Sequence, residues 1–111
     1  MFEKSRQGAV DLIHGSAPIN KETAEELSAL LDGCLHSGQP RIVLNMERVS
    51  LLDGRGLELL CDVQQVCISR GGSMKLCAPT SLCADILDAT GVAALFEIFD
   101  NVLTATGSFA R

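Results

Sequence analysis

The chain predicts an α/β fold with a mixed sheet, mostly parallel after an opening hairpin. Three observations carry that prediction. Short β-branched apolar runs alternate with longer stretches of helical periodicity; turn-forming Gly, Pro and Asn residues punctuate the boundaries; and only the first two strand-like segments are joined by a short turn. With 111 residues, 47% of them hydrophobic, the chain can bury one core but not two, so residues 1–111 read as a single domain.

Phe2 to Ser5 form the first edge strand, and Arg6-Gln7-Gly8 turn it into Ala9 to His14, where Val10, Leu12 and Ile13 supply apolar positions. Ser16 to Asn20, with Pro18, form a turn. Asn20 is placed to cap a helix from Lys21 to about Leu35, whose Glu22, Glu25 and Glu26 complement the positive helix end. Its core stripe is Ala24, Leu27 and Leu31, with Leu30 and Cys34 beside it. Gly38-Gln39-Pro40 precede a buried strand at Ile42, Val43 and Leu44, after which Val49, Leu51 and Leu52 lead back toward the core. Gly71-Gly72 end a second helix before a strand over Met74 to Cys77. Pro79 and Thr80 open a third helix, Leu82 to Ala89, terminated by Gly91. A short strand around Ile98 and a last helical turn after Asn101 complete the chain.

The formal net charge of −5, with no basic cluster, supplies no electrostatic footprint for nucleic acid or an anionic membrane surface. Apolar runs fall far short of the roughly 20 residues that span a bilayer, and the N-terminus lacks signal-peptide character. A soluble, cytoplasmic protein is expected, with no direct membrane insertion. Cys34, Cys61, Cys67, Cys77 and Cys83 lack Cys-x-x-Cys spacing and sit in apolar settings, which fits core thiols in a reducing compartment. His14 and His36 are isolated, so no zinc site is expected. No P-loop, paired acids or activated nucleophile stands out, so an enzyme is not expected and no cofactor is implied.

The segment Arg41 to Gly56 is where function is expected. Asp53 precedes the helical run Gly54 to Ile68 and can accept a hydrogen bond from a first-turn amide. Gly54 and Gly56 let another backbone or an anion come close. Arg55 is unusual, because a first-turn cation opposes the helix dipole by about 0.3–1 kcal/mol; a partner carboxylate, Asp53 or Glu58 would offset this. On the same helix Glu58, Asp62, Gln65 and Ser69 form a narrow polar stripe amid apolar residues. That helix either packs on the sheet with helices on both flanks or docks a partner or a second copy. Asp85 and Asp88 read as solvated positions, and Ser50 as a loop residue.

The order of these motifs resembles the STAS domain, the family of bacterial anti-sigma-factor antagonists, of a lipid-transport ABC component and of sulfate-transporter tails. Ala17-Pro18-Ile19-Asn20 through Leu27 occupies the family's Gly-x-Leu-Asp segment. Asp53-Gly54-Arg55-Gly56-Leu57 is similar to its Asp-Ser-x-Gly-Leu, and Thr90-Gly91-Val92, Leu95-Phe96 and Ile98-Phe99-Asp100 follow its later pattern. The resemblance implies a STAS-like mixed sheet of four to five strands with about four helices. It also implies a non-enzymatic docking module in bacterial transcription regulation, whose partner is an anti-sigma factor of serine-kinase type or another regulatory protein. The partner-binding residues carried over are Asn20, Asn45, Asp53, Gly54, Arg55 and Gly56. The family's phosphoacceptor falls on Gly54, which has no hydroxyl, and Asn20 and Asn45 stand where carboxylates are usual. The alternatives are a STAS subunit of an ABC-type lipid transporter and a nucleotide or anion sensor using Arg55 and the helix amides; a homodimer is compatible with these readings.

Overall fold

Ile42, Val43 and Leu44 are all fully buried, and this continuous apolar run is what a central strand covered on both faces requires. The computed structural model describes residues 1–35 and 38–110; His36 lies outside the described residues. It places this strand third in a five-stranded sheet arranged in chain order. Strands β1 (Phe2–Gln7) and β2 (Val10–Gly15) form the antiparallel hairpin, pairing Phe2 with Gly15 and Gln7 with Val10. Strands β3 (Arg41–Asn45), β4 (Ser73–Cys77) and β5 (Ile98–Phe99) then add in parallel. The hairpin is longer than the sequence suggests and turns at Gly8, which has the positive φ of 60° that a tight turn favours.

Parallel pairing needs crossovers, and helices α1 (Ala24–Gly33), α2 (Gly54–Ser69) and α3 (Ser81–Thr90) supply them. Their apolar sides meet Ile13, Ile42, Leu44, Met74 and Leu76 in the large core. Helix α4 (Val102–Gly107) covers the other face, where Val10, Leu12, Val43 and Cys77 meet Ala105. The alternation along β3 therefore feeds two cores. The boundaries follow capping chemistry: Thr80 Oγ1 accepts from the Cys83 amide at 3.2 Å, Asn101 Oδ1 from the Thr104 amide at 2.8 Å, and Gly91 ends α3 in the left-handed region at φ 80°.

Helix α1 departs from expectation. It runs from Ala24 to Gly33 rather than Lys21 to Leu35, with Thr23 as the N-cap position. The Thr23 hydroxyl donates backward to the Pro18 carbonyl at 2.6 Å and its oxygen accepts from the Asn20 amide at 3.0 Å, so both bonds face the preceding turn and none caps the helix. Asn20 instead caps the preceding turn, its Oδ1 accepting from the Glu22 and Thr23 amides at 3.0 and 3.1 Å.

A small clamp joins this turn to the entry of α2. Ile19 and Leu52 form an isolated parallel bridge, with the Ile19 amide donating to the Leu51 carbonyl at 2.9 Å and the Asp53 amide to the Ile19 carbonyl at 3.3 Å. The strand-like alternation buries Leu52 and turns Leu51 outward, 40% exposed, so Leu51 does not return to the core. Gly56 sits beneath the bridge: a β-carbon there would collide with the Ile19 carbonyl.

Helix α2 packs between α1 and the 3-10 turn Val92–Leu95, against β4, while Val66 and Ile68 remain exposed. Gln64 is buried on it. Its Oε1 accepts from the Met74 amide at 2.7 Å and its Nε2 donates to the Leu95 carbonyl at 2.9 Å. That side chain fills the place of a missing ladder bond, because β5 pairs only with Leu76 and Cys77.

Two expectations follow from this packing. Cys34, Cys67, Cys77 and Cys83 are buried, but Cys61 is half-exposed, contrary to a uniform set of core thiols. Burial pushes Cys34, Cys67 and Cys77 from an ordinary 9.0 up to about 11. A thiol reagent should modify Cys61 first in the native protein and all five cysteines in denaturant. The unfolded chain loses these thiol protons near pH 9 while the folded chain keeps them. Stability should therefore be intact below about pH 9 and decline toward pH 11, as measured by urea unfolding. Separately, Gly56→Ala should lower stability by about 1–3 kcal/mol through overpacking, whereas Gly54→Ala should change it by less than about 0.5 kcal/mol.

Candidate functional site

The chain's turns after β2, β3 and β4 lead into α1, α2 and α3, so the helix entries gather at one end of the sheet. Asp53 organises this end with both carboxylate oxygens. Oδ1 accepts from the Gly56 amide at 2.9 Å, capping α2 as expected, and Oδ2 accepts from the Lys21 amide at 3.2 Å. One side chain thus fixes the helix entry and the Asn20–Lys21 turn together, with the clamp beneath them. The sequence alone supports the cap; the second bond spans distant segments and has no local signal.

Gly54 is exposed, and the position of a β-carbon on it has no atom within 4 Å. Its backbone is not in the left-handed region, so a side chain would fit there without strain. Arg55 extends along the surface and donates to Glu58 Oε1 at 3.0 Å, an i,i+3 pair on exposed helix. This pair offsets the unfavourable placement of a cation at the positive helix end and is worth a few tenths of a kcal/mol. Gly56, by contrast, is buried. It lets the clamp close and presents no side to a partner.

Asn45 occupies a different place. It lies at the end of β3 on the face shared with Val43, which packs toward α4, whereas Ile42 and Leu44 face α1, α2 and α3. Its amide donates to His14 Nδ1 at 3.0 Å, and its Oδ1 accepts from the Glu47 amide at 3.1 Å. An accepting Nδ1 places the proton of the neutral imidazole on Nε2. Glu3 pairs with His14 in the hairpin register, so Glu3, His14 and Asn45 stand in a row across three strands. They line a cleft of about 460 Å³ with Ser16, Glu47 and Arg48. The structure therefore brings Asn20, Asp53, Gly54 and Arg55 together, and sets Asn45 with His14 on the other face of the sheet. His14 has no motif to announce it; strand register alone puts it there.

This end offers exposed backbone, one paired guanidinium and a carboxylate with each oxygen accepting one backbone amide. Ser50 is exposed in the loop before the clamp, and Asp85 and Asp88 are exposed on α3. Among the described residues no helix is long and apolar enough to cross a membrane, and no group of three His, Cys, Asp or Glu side chains is placed to hold a metal ion.

Comparison with known proteins gives a consistent answer. The STAS domain model matches residues 2–105. No curated protein matches the sequence. The solved structures that resemble this one include a candidate anti-sigma factor antagonist from Thermotoga maritima, TM1081, with a TM-score of 0.92 at 22% identity, covering 99% of this chain and 95% of that one. Another is the anti-sigma factor antagonist SpoIIAA of Bacillus in its unphosphorylated form, with a TM-score of 0.81 at 17% identity, covering 100% and 96%. A third is the murine anion transporter Slc26a9, with a TM-score of 0.79 at 16% identity, where 96% of this chain matches 18% of that one. At these identities the likenesses establish the fold. Together with the match along nearly the whole sequence, they show that the chain belongs to the STAS domain family.

Proposed function

We propose that this protein is a non-enzymatic docking module that binds a regulatory protein, in particular an anti-sigma factor of serine-kinase type, through the end of the domain centred on Asp53, Gly54 and Arg55. Asn20 shapes the adjoining turn, Gly56 sets the packing beneath, and Asn45 contributes from the neighbouring cleft. The observation that carries this reading is the pairing of an ordered helix entry, held by the Asp53 carboxylate, with open space above Gly54. The resemblance to anti-sigma-factor antagonists supplies the class of partner. Gly54 offers no hydroxyl, so docking is not switched by phosphorylation at that position.

A second reading, a transporter component, draws on the likeness to part of the murine anion transporter. Affinity capture from native lysate separates the two. An ATPase-fold serine kinase among the captured proteins supports the first, and a transporter subunit supports the second.

The docking surface is tested by charge reversal. Arg55→Glu should change stability by less than about 1 kcal/mol, because the lost pair with Glu58 is offset by a better match to the helix dipole. Its affinity for the captured partner should fall about tenfold or more, about 1.4 kcal/mol, since repulsion replaces attraction. Asp62→Lys, about two turns further along α2, should bind like the parent. If Arg55→Glu binds normally, or if only Asp62→Lys loses binding, the interface lies elsewhere. Gly54→Ser should gain phosphate from a cognate serine kinase with ATP, read by intact mass, while the parent stays unmodified. Phosphate on Ser50 of the parent would show a displaced switch and overturn the unswitched reading.

A further inference from the structure

Charge is distributed unevenly over this molecule. Helices α1, α2 and α3 carry seven carboxylates and one guanidinium. Against that acidic layer, two cations lie close together on the opposite face of the sheet, near the end remote from Asp53. Arg41 and Ser73 are paired at the starts of β3 and β4, and Lys75 follows Ser73 by two residues, so all three side chains share one face. They line a polar cleft of about 280 Å³ with Gln39, Glu97 and Ser108.

Lys75 is the unusual member. Its side chain is only 8% exposed, and a buried ammonium needs close compensation. The Nζ donates to Ser108 Oγ at 2.6 Å and stands 4.1 Å from the centre of the Phe109 ring. Both partners are neutral. The nearest carboxylate, Glu97, is 3.8 Å away and 66% exposed, where water screens it. Among the described residues Arg41 has no ion-pair partner. The Ser108 hydroxyl in turn donates to the Ala105 carbonyl at 2.6 Å; the cleft thus holds a nearly buried ammonium, a guanidinium and the Ser73 hydroxyl as donors, with a single rim carboxylate opposing them.

We infer that this cleft binds the phosphate group of a small molecule. A tetrahedral anion with several acceptor oxygens can use the Arg41 fork, the Lys75 ammonium and the Ser73 hydroxyl at once, whereas a planar carboxylate would leave several donors idle. The site lies at the opposite end of the strands from the proposed docking end, so the two proposals stand or fall separately.

The test is a titration of isotope-labelled protein with inorganic phosphate, glycerol 3-phosphate and acetate at constant ionic strength, following backbone amide signals. Saturable shifts at Arg41, Ser73 and Lys75 with either phosphate, and much weaker ones with acetate, are expected. Tighter binding of the ester would identify a small phosphate ester as the ligand class, and tighter binding of inorganic phosphate would identify free phosphate. Arg41→Gln and Lys75→Met should each weaken binding about tenfold or more, and Arg48→Gln, at the other end, should not. Should Lys75→Met unfold, Arg41→Gln alone decides. Shifts that never saturate, that centre on Gly54 to Gly56, that acetate reproduces, or that survive Arg41→Gln would overturn the proposal.

Discussion

The arrangement depends on the short parallel bridge between Ile19 and Leu52. It is a single residue pair, yet it connects the segment leaving β2 to the segment leaving β3, and so it sets where both α1 and α2 begin. Its carbonyl at Ile19 receives the Asp53 amide, and that places the Asp53 carboxylate within reach of two further amides. Gly56 makes the approach possible by having no side chain. Remove the bridge and the helix cap, the Asn20 turn and the exposure of Gly54 and Arg55 lose their common frame.

Much of this was legible in the residues, wherever the cause is local. The unbroken apolar run of β3, the Asp53 and Thr80 caps and the left-handed Gly91 each follow from neighbours in the chain. What was not legible depends on contacts between distant segments. Leu51 faces outward because the bridge to Ile19 fixes its parity. Helix α1 starts late because Thr23 turns back to Pro18. Asn45 joins His14 rather than Asp53 because the register of β3 puts it on the α4 face. The candidate site was therefore half visible: its helix entry could be read, and the grouping of its outlying members could not.

The two ends of the sheet are built on different physics. At the Asp53 end, order comes from hydrogen bonds to one carboxylate and the exposed groups are few and paired. At the Arg41 end, a nearly buried ammonium is held against an aromatic ring and a hydroxyl, and its compensation is incomplete. The first arrangement underlies the proposed docking, the second the proposed phosphate site.

The buried amide of Gln64 has a consequence for how the molecule opens. Strand β5 holds β4 through two residue pairs, and the rest of that seam is carried by one glutamine side chain. A seam so thinly bonded is where the fold should part first. The unit released would comprise β5, α4 and the closing turn, while the hairpin, β3 and the bridge at Ile19 stay intact. Local opening of this C-terminal segment would then bare the Lys75 side of the sheet and leave the Asp53 end ordered. The proposed docking surface lies outside the unit that this seam would release.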